Sequence, residues 1–134
     1  LAVPARMFWG WVGSTMISPR TLLAILAAIM AGSTALMGVF DEHWSHAAIL
    51  AVNCAISLSV LSWHGVLLSE AARLAPAGEA GRMTGGVLAF GSAGQLLYPM
   101  LFGAGLWIGG YGAAFIIISL PVAGVGAFLA LNRR

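Results

Sequence analysis

The amino-acid sequence predicts an all-α protein, a polytopic bundle of membrane helices. Apolar residues make up 60% of the 134 residues and charged residues 7%, whereas soluble domains have about 45–50% and about 25%. The apolar residues also form long windows that contain no Asp, Glu, Lys or Arg. A chain with so few charges cannot build a water-facing surface. This excludes a soluble enzyme, a disordered segment and a nucleic-acid-binding protein.

Four windows are long enough to cross a membrane. A span needs about 20 apolar residues, because the hydrocarbon core is about 30 Å thick and a helix rises about 1.5 Å per residue. Each span must be helical, since lipid offers no partner for unpaired backbone groups. The predicted transmembrane helices are residues 21–40, 47–69, 83–107 and 111–132.

The segments outside these windows alternate in charge. Residues 41–46 and the Gly109-Gly110 pair contain no Lys or Arg, whereas the N-terminal segment, residues 70–82 and the C-terminus do. The positive-inside rule places the arginine-bearing segments in the cytoplasm. We therefore expect an integral protein of a bacterial inner membrane with both ends cytoplasmic. The arginines on that side are Arg6, Arg20, Arg73, Arg82, Arg133 and Arg134.

The N-terminal segment is apolar but too short to span. Residues 1–11 lack the charged start, apolar centre and small-residue cleavage site of a signal peptide. We interpret them as the cytoplasmic end of an upstream helix that is truncated here.

The two inner spans carry most of the polar side chains. Asn53, Ser57 and His64 in the second span are four and seven residues apart, which keeps them on a narrow stripe of a helix at about 100° per residue. Polar groups are costly in lipid, so a stripe indicates an interior or a water-filled route. Hydrogen bonding between helices is the alternative, and for Asn53 the two interpretations are equally open. His64, near the cytoplasmic end, is more consistent with an interfacial residue than with a proton carrier.

The third span has Ser92, Gln95 and Tyr98 near its middle, followed by Pro99. Pro99 leaves the carbonyl of Gln95 without its helical donor, which predicts a kink and a hinge beside a polar spot. For Gln95, too, a route-lining and a structural role are equally open. We expect these polar residues, with those of the second span, to line a solute pathway.

A charged connection follows the second span. Glu70 and Arg73 are three residues apart and share a helix face at the cytoplasmic boundary, and Pro76 ends that helix. We expect the pair to take part in gating, with an interfacial anchor as the alternative. Two GxxxG pairs, Gly81 with Gly85 and Gly105 with Gly109, allow close helix contact.

Two stretches resemble cytoplasmic loops of the major facilitator superfamily of transporters. Residues 6–20 read RMFWGWVGSTMISPR, similar to the loop between the eighth and ninth helices, with Ser14 and Thr15 in the places of its Asp-Arg pair. Residues 65–86 read GVLLSEAARLAPAGEAGRMTGG, similar to the connection between the tenth and eleventh helices. The resemblance covers the whole chain and implies that the four spans are helices nine to twelve.

The resemblance implies that residues 1–134 are one incomplete membrane domain, the end of a permease's second half. Such a permease moves a small solute by alternating access, and its tenth and eleventh helices line the route. The implied partners are the solute, the bilayer and the missing upstream helices.

Two alternatives stay open. One is a compact dimeric four-helix exporter, whose first span would carry an acidic residue that residues 21–40 lack. The other is a non-transporting subunit that binds a helix through its GxxxG faces.

Enzymatic and metal-binding functions find little support. Asp41, Glu42, His43 and His46 have metal-capable side chains, but hydrated polar residues are ordinary in an outer loop. No nucleophile is accompanied by a base, and no glycine-rich segment is placed to hold a phosphate. We expect no catalytic residue, no metal, no cofactor and no nucleic-acid partner.

We predict that a reporter active only outside the cytoplasm works when fused after Asp41 or after Gly110. The same reporter fused after Gly78 should be inactive, because residues 70–82 carry the arginines that the positive-inside rule holds in the cytoplasm. Activity of the Gly78 fusion would contradict the topology.

Overall fold

The computed structural model of the chain describes residues 2–15 and 17–131. Arg133 and Arg134, and the side chains of Arg6, Ser14 and Thr15, lie outside this description. Within it the chain folds into helices and no strands. The helices are α1 (Ala2–Thr15), α2 (Pro19–Met37), α3 (His46–Leu74) and α4 (Ala80–Leu131).

The prediction of an all-helical chain with membrane-length apolar helices is confirmed. In the part of the chain that the structure describes, α2, α3 and α4 are each long and apolar enough to cross a membrane. Their ends lie close to the window boundaries expected from hydropathy. The largest difference is at the end of α3, which continues to Leu74 and so carries Glu70 and Arg73 on its last turns.

Two helix starts have clear local causes. The hydroxyl of Ser18 caps α2 by accepting a hydrogen bond from Thr21 N at 3.2 Å, and Pro19 occupies the first turn. Ser45 caps α3 in the same way, accepting from Ala48 N at 3.2 Å. Serine at the cap satisfies an otherwise unpaired N–H. Proline is tolerated in the first turn because the N–H that it lacks would have no partner within the helix there.

Helix α4 is a helical hairpin. Its backbone leaves helical geometry at Gly109 and at Gly110, where φ is 72° and ψ is −164°, a combination essentially restricted to glycine. The chain reverses there: a Cβ built on Gly105 would lie only 2.6 Å from Ala114 Cα, although a straight helix would separate the two residues by about 13 Å. We call residues 80–108 the first arm of α4 and residues 111–131 its second arm.

The second arm packs antiparallel against α2 with very little space between the backbones. A Cβ built on Gly38 would lie 2.8 Å from the carbonyl oxygen of Gly112, and one on Gly126 would lie 3.2 Å from Ala27 Cβ. Small residues therefore set the distance between these two helices, as is common in membrane bundles.

The buried core lies near the start of α2. Leu22, Leu23 and Leu26 meet Val66 of α3 there. Partly buried side chains from the other helices surround them: Trp9, Val12, Ile17, Trp63, Leu67 and Leu129. This cluster joins α1, α2, α3 and the second arm of α4 at one end of the bundle.

The first arm of α4 is far less covered. Phe90 is 84% exposed and Trp107 is 94% exposed, and among the described residues of this arm only Gly105 is buried. Its half-buried positions recur every three or four residues and define the face that it turns to the bundle: Thr84, Val87, Gly91, Gly94, Tyr98, Phe102 and Leu106.

We predict that Gly105→Ala destabilises the hairpin whereas Gly103→Ala does not. Both changes add the same methyl group to one arm, but nothing lies within 4 Å of a Cβ at Gly103. We expect Gly105→Ala to lower the free energy of unfolding by about 1–3 kcal/mol and Gly103→Ala to leave it unchanged or raise it by up to about 1 kcal/mol. SDS titration followed by circular dichroism measures both, and equal effects would contradict the contact.

Candidate functional site

Helix α3 has two different faces. Ser59, Ser62 and Val66 are buried and lie on one side of the helix, as expected from their spacing of three and four residues. Asn53 and Ser57, at about 100° per residue, lie roughly half a turn away from that side. The predicted polar stripe is therefore on the face of α3 opposite its packed face.

A cavity of about 50 Å³ lies between α3 and the first arm of α4 and brings part of the predicted site together. His64 lines it from α3, and Ser92 and Gln95 line it from α4. Its remaining lining is mostly apolar, and Trp63 contacts His64 with ring centroids 4.5 Å apart. The cavity is large enough for water and has several hydrogen-bonding groups in its wall.

Asn53, Ser57 and Tyr98 are not part of this cavity wall. Asn53 is exposed, and its amide Nδ2 donates to the carbonyl oxygen of Ile49 at 2.9 Å. Ser57 and Tyr98 are half-buried, Tyr98 on the bundle-facing side of the first arm. They extend the line of polar groups beyond the cavity, away from the end of the bundle where α3 ends.

Hydroxyl groups within the helices bond mainly to their own helix. Ser59 Oγ donates to the carbonyl oxygen of Ala55 at 2.8 Å, Ser62 Oγ to that of Leu58 at 2.7 Å, and Ser92 Oγ to that of Leu88 at 3.0 Å. Such bonds satisfy a hydroxyl without a second helix. The buried serines of α3 therefore allow close packing at little polar cost.

The backbone of α4 remains helical at Pro99. Non-helical dihedral angles within α4 are confined to Gly109 and Gly110, so the chain reverses well beyond the proline. Pro99 is exposed and next to the bundle-facing Tyr98. Its role as a hinge remains a prediction.

Glu70 and Arg73 form a two-bond ion pair at the end of α3. Arg73 Nε donates to Glu70 Oε2 at 2.8 Å, and Arg73 Nη2 donates to Oε1 at 2.7 Å. The Glu70 side chain is 16% exposed and that of Arg73 is 65% exposed. The predicted sharing of a helix face is therefore observed. A second pair, Glu79 with Arg82, is longer at 3.6 Å and more exposed.

A larger groove, which the sequence did not predict, lies beside this ion pair. Its volume is about 1140 Å³, and it is lined by the start of α2, the end of α3 and the end of the second arm of α4. Arg20, Glu70 and Arg73 supply its charges, and the rest of its wall is polar near Ser18 and apolar farther along. We call it the arginine groove; its apolar wall consists of Leu23, Ala24, Ile25, Ala28, Leu74, Leu129 and Ala130.

The connection between α2 and α3 forms a local turn. A carboxylate oxygen of Asp41 accepts a hydrogen bond from His43 N at 2.9 Å. Within the described residues, no group of three or more His, Cys, Asp or Glu side chains is arranged to hold a metal ion. Asp41 thus has a structural role in this turn.

Comparison of the chain with protein-family models, with curated proteins and with solved structures finds no match in any of the three. A functional interpretation therefore depends on the residues themselves. The structure gathers groups that could bind a ligand at two places. One is the polar line of α3 and the first arm of α4, and the other is the charged end of α3.

We predict that Glu70→Gln lowers the free energy of unfolding by up to about 1 kcal/mol, because it removes the charge from a two-bond pair whose carboxylate side chain is only 16% exposed. Glu79→Gln makes the same chemical change in the longer, exposed pair and should cost less than about 0.5 kcal/mol. SDS titration followed by tryptophan fluorescence compares the two variants. A Glu70→Gln effect no larger than that of Glu79→Gln would contradict a stabilising role for the Glu70–Arg73 pair.

Proposed function

We propose that the chain is part of a solute permease of the major facilitator type, and that α3 and the first arm of α4 line its transport route. One observation carries the proposal: the uncharged polar side chains of both elements lie on the side of α3 that faces away from the packed core. His64, Ser92 and Gln95 surround one cavity there. The sequence similarity of residues 65–86 to the tenth-to-eleventh helix connection supports the same reading.

The cost of exposing polar groups to hydrocarbon favours a polar line that is covered by protein or hydrated. An amide turned towards hydrocarbon leaves hydrogen-bonding groups unpaired, at a cost of several kcal/mol. Asn53 satisfies one donor within α3 and retains a second donor and its carbonyl acceptor. Upstream helices of the same permease, enclosing water and solute, would solvate these groups.

We propose that the chain crosses the membrane four times, through α2, α3 and each arm of α4. The whole of α4 has 52 residues and would be about 78 Å long as a straight helix, more than twice the thickness of the hydrocarbon core. Its arms are about 44 Å and about 32 Å long at 1.5 Å per residue, so each suits one crossing. With Arg20, Arg73 and Arg82 in the cytoplasm, both chain ends are cytoplasmic, in a bacterial inner membrane.

The polar line supplies hydrogen bonds and no fixed charge to the solute. Its members carry amide, hydroxyl, imidazole and phenol groups: Asn53, Ser57, His64, Ser92, Gln95 and Tyr98. In alternating access these groups contact the solute while the two halves of the permease rock around it. The Glu70–Arg73 pair, at the cytoplasmic end of α3, forms part of the gate, and Pro99 eases bending of the first arm.

A second candidate is a non-transporting subunit that binds a partner helix. The uncovered surface of the first arm of α4, with Phe90 and Trp107 largely exposed, favours it. A Cβ at Gly81 or Gly85 meets nothing within 4 Å, so that GxxxG face is open to a partner helix. If the chain is such a subunit, the first arm should be packed against the partner helix without water. If it is part of a permease, water should reach the polar side chains of the arm.

We predict that a cysteine at Ser57 or Gln95 reacts with a small, membrane-impermeant thiol reagent in intact membranes, with Cys54 first replaced by alanine. The matched controls are nearby positions: Ser59→Cys, at a buried position, and Leu96→Cys, at a position 75% exposed and about 100° from Gln95 around the arm. Thiols react as thiolates, which form in water and not in lipid or in a packed core. The controls should stay unlabelled.

Equal labelling of a test position and its neighbour, or no labelling of Ser57→Cys and Gln95→Cys in any state, would contradict the proposed route. For the permease, labelling should also slow when the transported solute is added. Asn53→Leu should reduce transport more than it reduces expression.

A further inference from the structure

We propose that the arginine groove binds the headgroup of an anionic phospholipid of the cytoplasmic leaflet. The groove is open, has a volume of about 1140 Å³ and lies between three helix ends. It belongs neither to the polar line of α3 nor to the cavity at His64. The inference depends on the proposed membrane orientation and not on solute transport.

The charges of the groove favour an anion. Arg20, Arg73 and the carboxylate of Glu70 line the groove, so these three described side chains together carry a net positive charge. Glu70 engages two of the five N–H donors of the Arg73 guanidinium. Guanidinium groups bind phosphate through paired N–H donors and are weakly hydrated, which suits a partly enclosed site.

The shape of the groove favours a lipid over a free ion. Ser18, Arg20 and Thr21 line its polar end, whereas Leu23, Ile25 and Ala28 continue along α2 as an apolar wall. A phosphodiester at the polar end would place acyl chains against this wall, at the depth where the hydrocarbon begins. Basic pockets between membrane helices on the cytoplasmic side commonly bind anionic headgroups in this way.

The groove lies beside the leucine core, where the same three elements already meet. Its walls come from the start of α2, the end of α3 and Leu129 with Ala130 at the end of the second arm. A bound lipid would bridge these elements beside the Glu70–Arg73 pair. Its binding should therefore stabilise the folded bundle, because a ligand that binds only the folded state raises stability.

The test is native mass spectrometry of the intact protein released from nanodiscs of phosphatidylcholine with a minor fraction of phosphatidylglycerol. We expect one phosphatidylglycerol molecule to be retained by the unaltered protein. Arg20→Gln should weaken its retention about fivefold, since one arginine near an anionic surface contributes about 1 kcal/mol and 1.4 kcal/mol is tenfold. Arg82→Gln, which removes the same charge from an 85% exposed side chain outside the groove, should have no such effect.

A second pair of variants tests the groove without changing charge. Ala24→Phe fills the apolar wall and should also displace the lipid, whereas Ala89→Phe adds the same bulk to an exposed position of the first arm and should not. Circular dichroism of each variant establishes that it is folded. Competition with inorganic phosphate separates a lipid site from a phosphate site.

Any of three results would overturn the proposal. These are equal retention of phosphatidylcholine and phosphatidylglycerol, equal losses in the Arg20→Gln and Arg82→Gln variants, and displacement of the lipid by millimolar inorganic phosphate. Labelling of the Ser57 and Gln95 positions is independent of all three, so failure of the lipid site and failure of the transport route are distinguishable.

Discussion

The close approach of α2 to the second arm of α4 is the constraint on which the rest of the bundle depends. At Gly38 and Gly112 the two backbones are so near that neither position has room for a side chain. An apolar helix surface gains little free energy when it leaves lipid for a contact with another helix, because both surroundings are apolar. Membrane helices therefore associate through close packing. Once these two helices are joined, α3 and α1 pack around the leucines of α2, and the first arm is tethered through the hairpin at Gly105.

Much of the fold could be predicted because hydropathy alone identifies membrane-length helices. The windows agree with α2, α3 and the arms of α4 to within a few residues, except that α3 continues past its window to Leu74. The faces by which the helices pack could not be predicted in the same way. Nearly every position is apolar, so no contrast between faces marks the contact. Gly38, at the end of an apolar window, carries no sequence signal that it meets Gly112.

The candidate site was predicted in part. Spacing alone placed Asn53, Ser57 and His64 on one stripe, and the structure adds that this stripe faces away from the core. The serines between them are different, because Ser59 and Ser62 are buried in the bundle and bond to their own helix. Composition does not separate these two kinds of serine. The arginine groove escaped prediction for another reason: its walls come from residues more than a hundred positions apart, and only the folded chain brings them together.

The shortness of the reversal at Gly109 and Gly110 has a consequence for biosynthesis. If each arm crosses the membrane, as proposed, a connection of two residues leaves no slack, and one arm of α4 cannot reach its final depth while the other is still outside the bilayer. During synthesis the two arms would therefore have to enter the membrane together, as a preformed helical pair, after the second arm has left the ribosome. Ser92 and Gln95 of the first arm would then meet α3, which forms the other wall of their cavity.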